Sequence, residues 1–203
     1  MPILNDRFAQ ALQSGEPLRL NLGSGGTVKP GYWGVDLLAL PGVDVQADLN
    51  QPLDWLPDNS VDEISSRHAL EHVEQILPLM RELHRVVKPS GTLRIVVPHF
   101  SNPYYYSDLT HRHPFGLYSF FYFCEPADQP RRKVPAFYTD TRYRVQSLQI
   151  RFYRRSLLDK MISPWFGRLV NLNFGMQDWY ERRVAGLWHA SEMECVLRPV
   201  KPG

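Results

Sequence analysis

Residues 18–36, LRLNLGSGGTVKPGYWGVD, join a glycine turn to an acid that ends the next strand-like run. Gly23 and Gly25 let backbone N–H groups come close to a ligand, and Asp36 offers a carboxylate able to grip a ribose diol. Asp48, in the run Ala47-Asp48-Leu49-Asn50, ends a third strand-like run in a similar way. Histidines form the second concentration of chemistry. His68 and His72 flank Glu71, while His99, Asp108, His111 and His113 fall within fifteen residues. Imidazole titrates near neutral pH and can act as a general base; with carboxylates it can also hold a divalent metal.

Spacing narrows the nucleoside. A dinucleotide turn needs G-x-G-x-x-G with an acid about 20 residues on. Here Val28 stands at the third glycine, and Asp36 follows Gly23 by thirteen residues. No G-x-x-x-x-G-K-[ST] phosphate loop is present either. Nothing at this turn is built for a pyrophosphate.

The elements that must carry these residues read as alternating strand and helix, the pattern of an open α/β sheet. Strands are expected at 18–22, 32–37, 43–48, 61–67 and 92–97, the last entered through Lys88-Pro89-Ser90-Gly91. A helix over 71–87 places Val73, Leu77, Met80, Leu83 and Val87 on one face, with Pro78 expected to bend it. Tyr32 follows Gly23 by only nine positions. A crossover normally takes at least about 10–12 residues, so its helix must be vestigial or replaced by a turn. Further on, 143–153 and 192–200 read as strands, with a helical stretch at 156–187 between them. Pro164 and Gly167 are expected to break that stretch into two short helices.

The segment 18–36 resembles the first motif of class I S-adenosylmethionine-dependent methyltransferases. Asn21-x-Gly23-x-Gly25 stands at that family's acid-x-Gly-x-Gly, with Asn21 for the usual acid. The run Arg67-His68-Ala69-Leu70-Glu71-His72 resembles the H-x-L-E-H segment of the type 11 subgroup, and Val-Lys-Pro-Ser-Gly-Thr-Leu before the fifth strand also matches. The resemblance implies a Rossmann-like, mostly parallel seven-stranded sheet with helices on both faces and an antiparallel last strand beside the fifth. It implies S-adenosyl-L-methionine as cofactor, held by Asn21, Gly23, Ser24, Gly25, Asp36, Leu37, Asp48, Leu49, Asn50, Ser66, Arg67 and His68. Methyl transfer would be an in-line displacement at the sulfonium. An oxygen acceptor would also lose a proton, for which His68, His99 and His111 are the candidate bases. The H-x-L-E-H segment, Asp108-Leu109-Thr110-His111 and Tyr180-Glu181-Arg182 together resemble methyltransferases of polysaccharide assembly, which points to a sugar or sugar-lipid hydroxyl.

Composition bounds the rest. At 203 residues, 43% hydrophobic and 22% charged, one globular methyltransferase domain over 1–203 is expected. Within it, 99–142 reads as an aromatic, histidine-rich lid and 156–187 as a helical cap. The start MPILNDRFAQ shows no secretory pattern, and two distant cysteines suit a reduced, cytoplasmic protein. Methyl transfer needs no metal and the histidine spacing matches no standard zinc pattern, so no metal site is expected. The net charge of +2 is uneven, with +7 concentrated in 131–155. An anionic acceptor would suit that segment. RNA is the alternative, with Phe137, Tyr138, Tyr143 and Tyr153 as stacking surfaces, but no Asn-Pro-Pro-Tyr-type run follows the fourth strand. A non-catalytic cofactor-binding module is the third reading. Apolar residues from Leu157 to Leu172 recur at helical spacing, either as core or as a border to the acceptor at Trp165, Phe166 and Trp179. Lys160 and Arg168 give that face only a weak basic fringe for a peripheral membrane contact.

Overall fold

Alternating polarity along the strand-like runs is realised as one twisted sheet in the computed structural model, which describes residues 3–201. Its strands are β1 (Arg19–Leu22), β2 (Trp33–Asp36), β3 (Val45–Gln46), β4 (Val61–Arg67), β5 (Val87–Pro98), β6 (Tyr143–Phe152) and β7 (Ala190–Pro199). They lie in the order β3-β2-β1-β4-β5-β7-β6. The first five run parallel, and β7 is antiparallel to both of its neighbours. The last strand therefore slots beside the fifth, as expected. Edge strand β6 points the same way as β5, so its end at Phe152 reaches the carboxyl edge of the sheet.

Register sorts the strand residues onto two unlike faces. Leu20, Trp33, Ile64, Leu93, Leu197 and Val145 align across the sheet, and Leu22, Val35, Ser66, Ile95, Cys195 and Leu148 form the next row. This face carries the core. The helices α1 (Asp6–Ser14), α2 (Ile76–Val86), α3 (Leu157–Val170) and α4 (Phe174–Arg183) bring Phe8, Met80, Leu83, Val170 and Tyr180 to it or to the cluster beside it at Ile150 and Phe152. The opposite face presents Arg19, Asn21, Glu63, Ser65, Arg67, Arg94, Arg151, Glu192 and Glu194.

Helices on both faces were expected, and this is corrected. The nine-position link from Gly23 to Tyr32 folds as turns rather than a crossover helix, so nothing from it covers the polar face. Parallel sheets rarely leave a face to water. This one does so with charge: Glu194 pairs with Arg94 and Arg151, and Glu192 with Arg67 and Arg151.

Two helix expectations also change. A 3-10 turn, Leu70–His72, precedes α2, which begins only at Ile76. Pro78 thus falls in the first turn, where its missing N–H costs no helical bond, and it bends nothing. The helix α3 runs unbroken through Pro164 and Gly167. The break comes at 171–173 instead, where Asn171 donates to the carbonyls of Ile150 and Gly167 and Asn173 caps α4. Its core-packing reading is corrected for most of the apolar repeat: Leu157, Met161 and Trp165 are 81%, 72% and 71% exposed. Only Phe166, Val170 and the fully covered Ser163 pack inward. No helix among the described residues is long and apolar enough to cross a membrane.

Candidate active site

The chain leaves β1 through a left-handed turn, with Gly23 at φ +66° and Gly25 at φ +54°. A Cβ on Gly23 would stand 2.3 Å from that of Ala69, so only glycine fits between β1 and the loop after β4. From the end of β2, Asp36 accepts the Gly25 N–H at 2.8 Å and the Leu38 N–H at 3.1 Å. A carboxylate has about four acceptor positions, so two remain for a diol. Beyond β3, Asp48 accepts from the Asn50 backbone and side chain, and Asn50 in turn accepts the Glu74 N–H at 2.7 Å. Between these groups lies a cavity of about 410 Å³, walled by Leu37, Leu38, Ala47, Leu49, Ala69 and Val73 and closed by His68 and His72. Apolar walls with a carboxylate on one side suit a purine nucleoside.

A second cavity of about 550 Å³ opens on the polar sheet face and shares Gly23, Gly25 and His68 with the first. Asn21, Ser24 and Ser65 line it, with Lys29, Arg67, Arg94, Arg151 and Glu194 around them. His68 sits where the two cavities meet. Its backbone is left-handed, φ +53°, a conformation uncommon for a non-glycine residue. Its Nε2 lies 2.9 Å from Glu192 and its Nδ1 3.3 Å from Glu71. Hydrogen bonds to Glu192 and Glu71 raise its pKa to about 9 against the cost of burial. Burial pushes Glu192 upward, yet its contacts with His68 and Arg67 outweigh this and leave it lowered.

Of the residues expected to hold the cofactor, Asp36, Leu37, Asp48, Leu49 and Asn50 line the first cavity, and Asn21, Ser24 and Arg67 line the second. Gly23, Gly25 and His68 line both. Ser66 does not: register turns it to the core face, where it is 1% exposed, and Ser65 takes its place. His99 is also removed from the site. It is fully buried, with Nε2 on Glu181 and Nδ1 accepting from the Ser101 N–H, and it joins the segment after β5 to α4. His111 remains near the site, its ring 4.8 Å from that of His72.

The basic segment 131–155 does not form one patch. Arg142 donates to the carbonyls of Ala136, Thr139 and Thr141, Lys133 to those of Pro126 and Gln129, and Arg144 pairs with Asp128. These cations secure their own loop, and Arg151 alone among them reaches the second cavity. Tyr143 is fully buried with its hydroxyl on the Met80 carbonyl, so it offers no base-stacking surface. Sequence reading missed Lys29, Arg94, Glu192 and Glu194. For Glu192 and Glu194 the signal was charge at alternate positions of β7, which marks a wet sheet face, whereas Arg94 is a lone charge in the apolar run of β5 and Lys29 lies in the turns before β2.

A family profile for the methyltransferase domain matches residues 35–95, from Val35 in β2 through the loop after β4 to Ile95. The matched stretch and the sheet order are those of a class I S-adenosylmethionine-dependent methyltransferase domain. By overall shape it is similar to a methyltransferase of this kind from Archaeoglobus fulgidus, at 18% identity and a TM-score of 0.57, over 95% of this chain and 90% of that one. It is also similar to one from Mesorhizobium loti, at 14% identity and a TM-score of 0.53, over 93% and 96%. At these identities the likeness is one of fold. No curated protein matches by sequence.

The methyltransferase's cofactor, S-adenosyl-L-methionine, fits the residues present. Asp36 would take the ribose hydroxyls, Leu49 and the Asp48-Asn50 pair would border the adenine, and Gly23 and Gly25 in the cavity wall would let the backbone come close to it. The cofactor supplies a methyl on a sulfonium, already a good leaving group. The chain's own task is to align an acceptor, hold it in a partly dry site and take its proton where it has one.

Proposed function

We propose that this methyltransferase acts on a hydroxyl of an anionic small-molecule or carbohydrate acceptor, a sugar or sugar-lipid. The observation that carries the reading is the second cavity. It meets the cofactor cavity at His68 and holds Lys29, Arg67, Arg94 and Arg151 against the single lining acid Glu194. An excess of cations in a cleft favours a phosphate or carboxylate on the molecule that enters it. Arg67, with its side chain 54% exposed, and Lys29 remain open to such a group.

Oxygen is favoured as the acceptor atom because proton-accepting groups gather next to the site. His68 has both ring nitrogens on carboxylates, so in this reading it fixes Glu71 and Glu192 beside the acceptor rather than serving as its base. Glu71, His72 and His111 bring acceptor atoms within 4.8 Å of one another just behind it, and the hydroxyl proton leaves in that direction.

The sugar-lipid form of the reading is supported by α3. Because β6 ends at the carboxyl edge, α3 begins on the same edge of the sheet as the site, and its exposed Leu157, Leu158, Met161 and Trp165 lie among Arg154, Arg155, Lys160 and Arg168 in the sequence. An apolar strip with basic neighbours complements the surface of an anionic lipid layer.

The experiment is transfer of a radiolabelled methyl from S-adenosylmethionine to a panel of neutral sugars, sugar phosphates, nucleoside-diphosphate sugars and RNA. Label on a hydroxyl of the phosphate-bearing sugars, and little on the neutral ones, is the expected result. Label on RNA alone would overturn the reading. Tight cofactor binding with no labelled acceptor would favour a non-catalytic module.

A further inference from the structure

We propose that Glu71, His72 and His111, with Asp108 beside them, form a binding site for one first-row divalent cation. Among the described residues these three offer ligand atoms that all lie within 4.8 Å of one another. Glu71 and His72 come from the 3-10 turn after β4, and His111 from the lid after β5, so no local spacing could reveal the group.

Hydrogen bonding leaves each member with a free lone pair. The Thr110 hydroxyl donates to Asp108 at 2.6 Å, so it must accept from His72 Nδ1–H at 2.8 Å. That assigns the lone pair of His72 to Nε2. His111 Nδ1 lies 2.8 Å from the Tyr105 carbonyl, which can only accept, so its lone pair is on Nε2 as well. Glu71 is fully buried, and its Oε2 has no hydrogen-bond partner. Three acceptors thus crowd together with no donor among them. A buried carboxylate oxygen without a partner is costly, and a cation would satisfy all three at once.

Metal-binding histidines characteristically donate the far ring N–H to an oxygen, which orients the ring and raises its basicity. Both imidazoles here are held in that way. Asp108 Oδ2 is 3.7 Å from His111 Nε2 and supplies a further oxygen. The backbone N–H of Arg112 donates to the Glu71 carbonyl at 2.7 Å and ties the lid to the turn, so the two segments keep their register. Bonds of about 2.0–2.2 Å would draw the ligand atoms to roughly 3–3.5 Å apart, an inward movement of about 1 Å that side-chain rotation can supply. Two imidazoles with one or two carboxylates suit Zn²⁺, Mn²⁺ or Fe²⁺ rather than Mg²⁺ or Ca²⁺. The cluster borders the cofactor cavity through His72. A cation there would occupy these lone pairs and lower the pKa of an acceptor hydroxyl in place of direct proton transfer to the side chains; that use rests on the proposed function, whereas metal binding does not.

The test titrates metal-depleted full-length protein with Zn²⁺ by calorimetry and with Mn²⁺ by electron paramagnetic resonance. One saturable site per chain is expected. His111→Ala and Glu71→Gln should each weaken it about tenfold or more. His189→Ala, in a separate cavity beside Tyr104 and Tyr153, should leave it unchanged. Retained S-adenosylhomocysteine affinity and an unaltered circular dichroism spectrum in His111→Ala separate ligand loss from misfolding. The proposal is overturned by the absence of a saturable site, or by equal affinity in the wild type and both ligand variants. A metal site that binds as expected while methyl transfer ignores added metal would sink only its catalytic use.

Discussion

Asp36 was singled out from residue type and position alone, and it lines the first cavity. An acid at the tip of the second strand, after a glycine turn, has few other tasks, and the structure leaves two of its acceptor positions free. Asp36→Ala should therefore weaken S-adenosylmethionine binding by about 1–3 kcal/mol, the cost of leaving polar partners unpaired. Calorimetric affinity equal to that of the wild type would remove the ribose assignment. The variant also frees the Gly25 and Leu38 N–H groups, so its melting temperature should be read alongside. The histidines were harder to read. His68, His99 and His111 look alike as letters, and only the fold shows one between two carboxylates, one buried against α4 and one with an open lone pair. Their roles depend on Glu192, Glu181 and Tyr105, each distant in sequence. Ser66 failed for a simpler reason. Alternation along β4 allowed either Ser65 or Ser66 to face the ligand, and the pleat selected Ser65.

Elements were read well where periodicity was strong and poorly where proline was taken at face value. Pro78 and Pro164 were both expected to disturb helices, yet one sits in a first turn and the other lies inside an unbroken helix. The helix α2 owes part of its hold to charge. Arg85 donates to Glu82, to Asp58 and to the carbonyls of Leu53 and Leu56, clamping α2 to the loop that follows Asp48-Asn50. The Arg85 hydrogen bond holds the Glu82 carboxyl below its usual value of 4.5. A carboxylate with a depressed folded pKa stabilises the fold above its unfolded value, and this contribution is lost as pH falls through the folded one. Glu82→Gln should cost about 1–2 kcal/mol at neutral pH. It should also flatten the loss of stability below about pH 4.5. Urea unfolding at a series of pH values checks this, and parallel pH profiles for wild type and variant would refute it.

The same scale holds the question of α3, whose apolar repeat was visible but whose direction was not. Its exposed residues predict sedimentation with vesicles rich in anionic lipid and little with neutral ones. The double variant Leu157→Asp and Trp165→Asp should abolish that binding, while its melting temperature changes little because both side chains are largely in water. Failure of the wild type to bind anionic vesicles would refute the lipid reading of this face. A shift from dimer to monomer in the double variant would assign the face to a second copy of the chain.

At the scale of the whole molecule, the strand positions were legible because hydrophobic runs and turns recur in a fixed sequence, and the antiparallel ending was implied by the resemblance to class I methyltransferases. The uncovered face was not. The step of only nine positions from Gly23 to Tyr32 announced a missing helix, but only register shows that its absence leaves a charged sheet face joined to the cofactor site at His68. Charge on that face performs two tasks at once. Glu192 and Glu194 neutralise Arg67, Arg94 and Arg151 in a ladder that keeps the face soluble, while Lys29 and the open side of Arg67 leave a positive end. Lys29 lies with its Nζ 3.7 Å from the Tyr32 ring centroid, and burial lowers its pKa from 10.5, so it is a positioned group and not a loose surface chain. Inorganic pyrophosphate should therefore bind the protein saturated with S-adenosylhomocysteine, and the affinity should fall as salt rises because these side chains are partly screened by solvent. Lys29→Ala and Arg67→Ala should each weaken that binding about three- to tenfold, whereas a cation outside the cleft, Arg182, can be replaced without effect. Equal affinity in all four proteins would show that the cleft's cations serve only the sheet and that the acceptor's charge is read elsewhere.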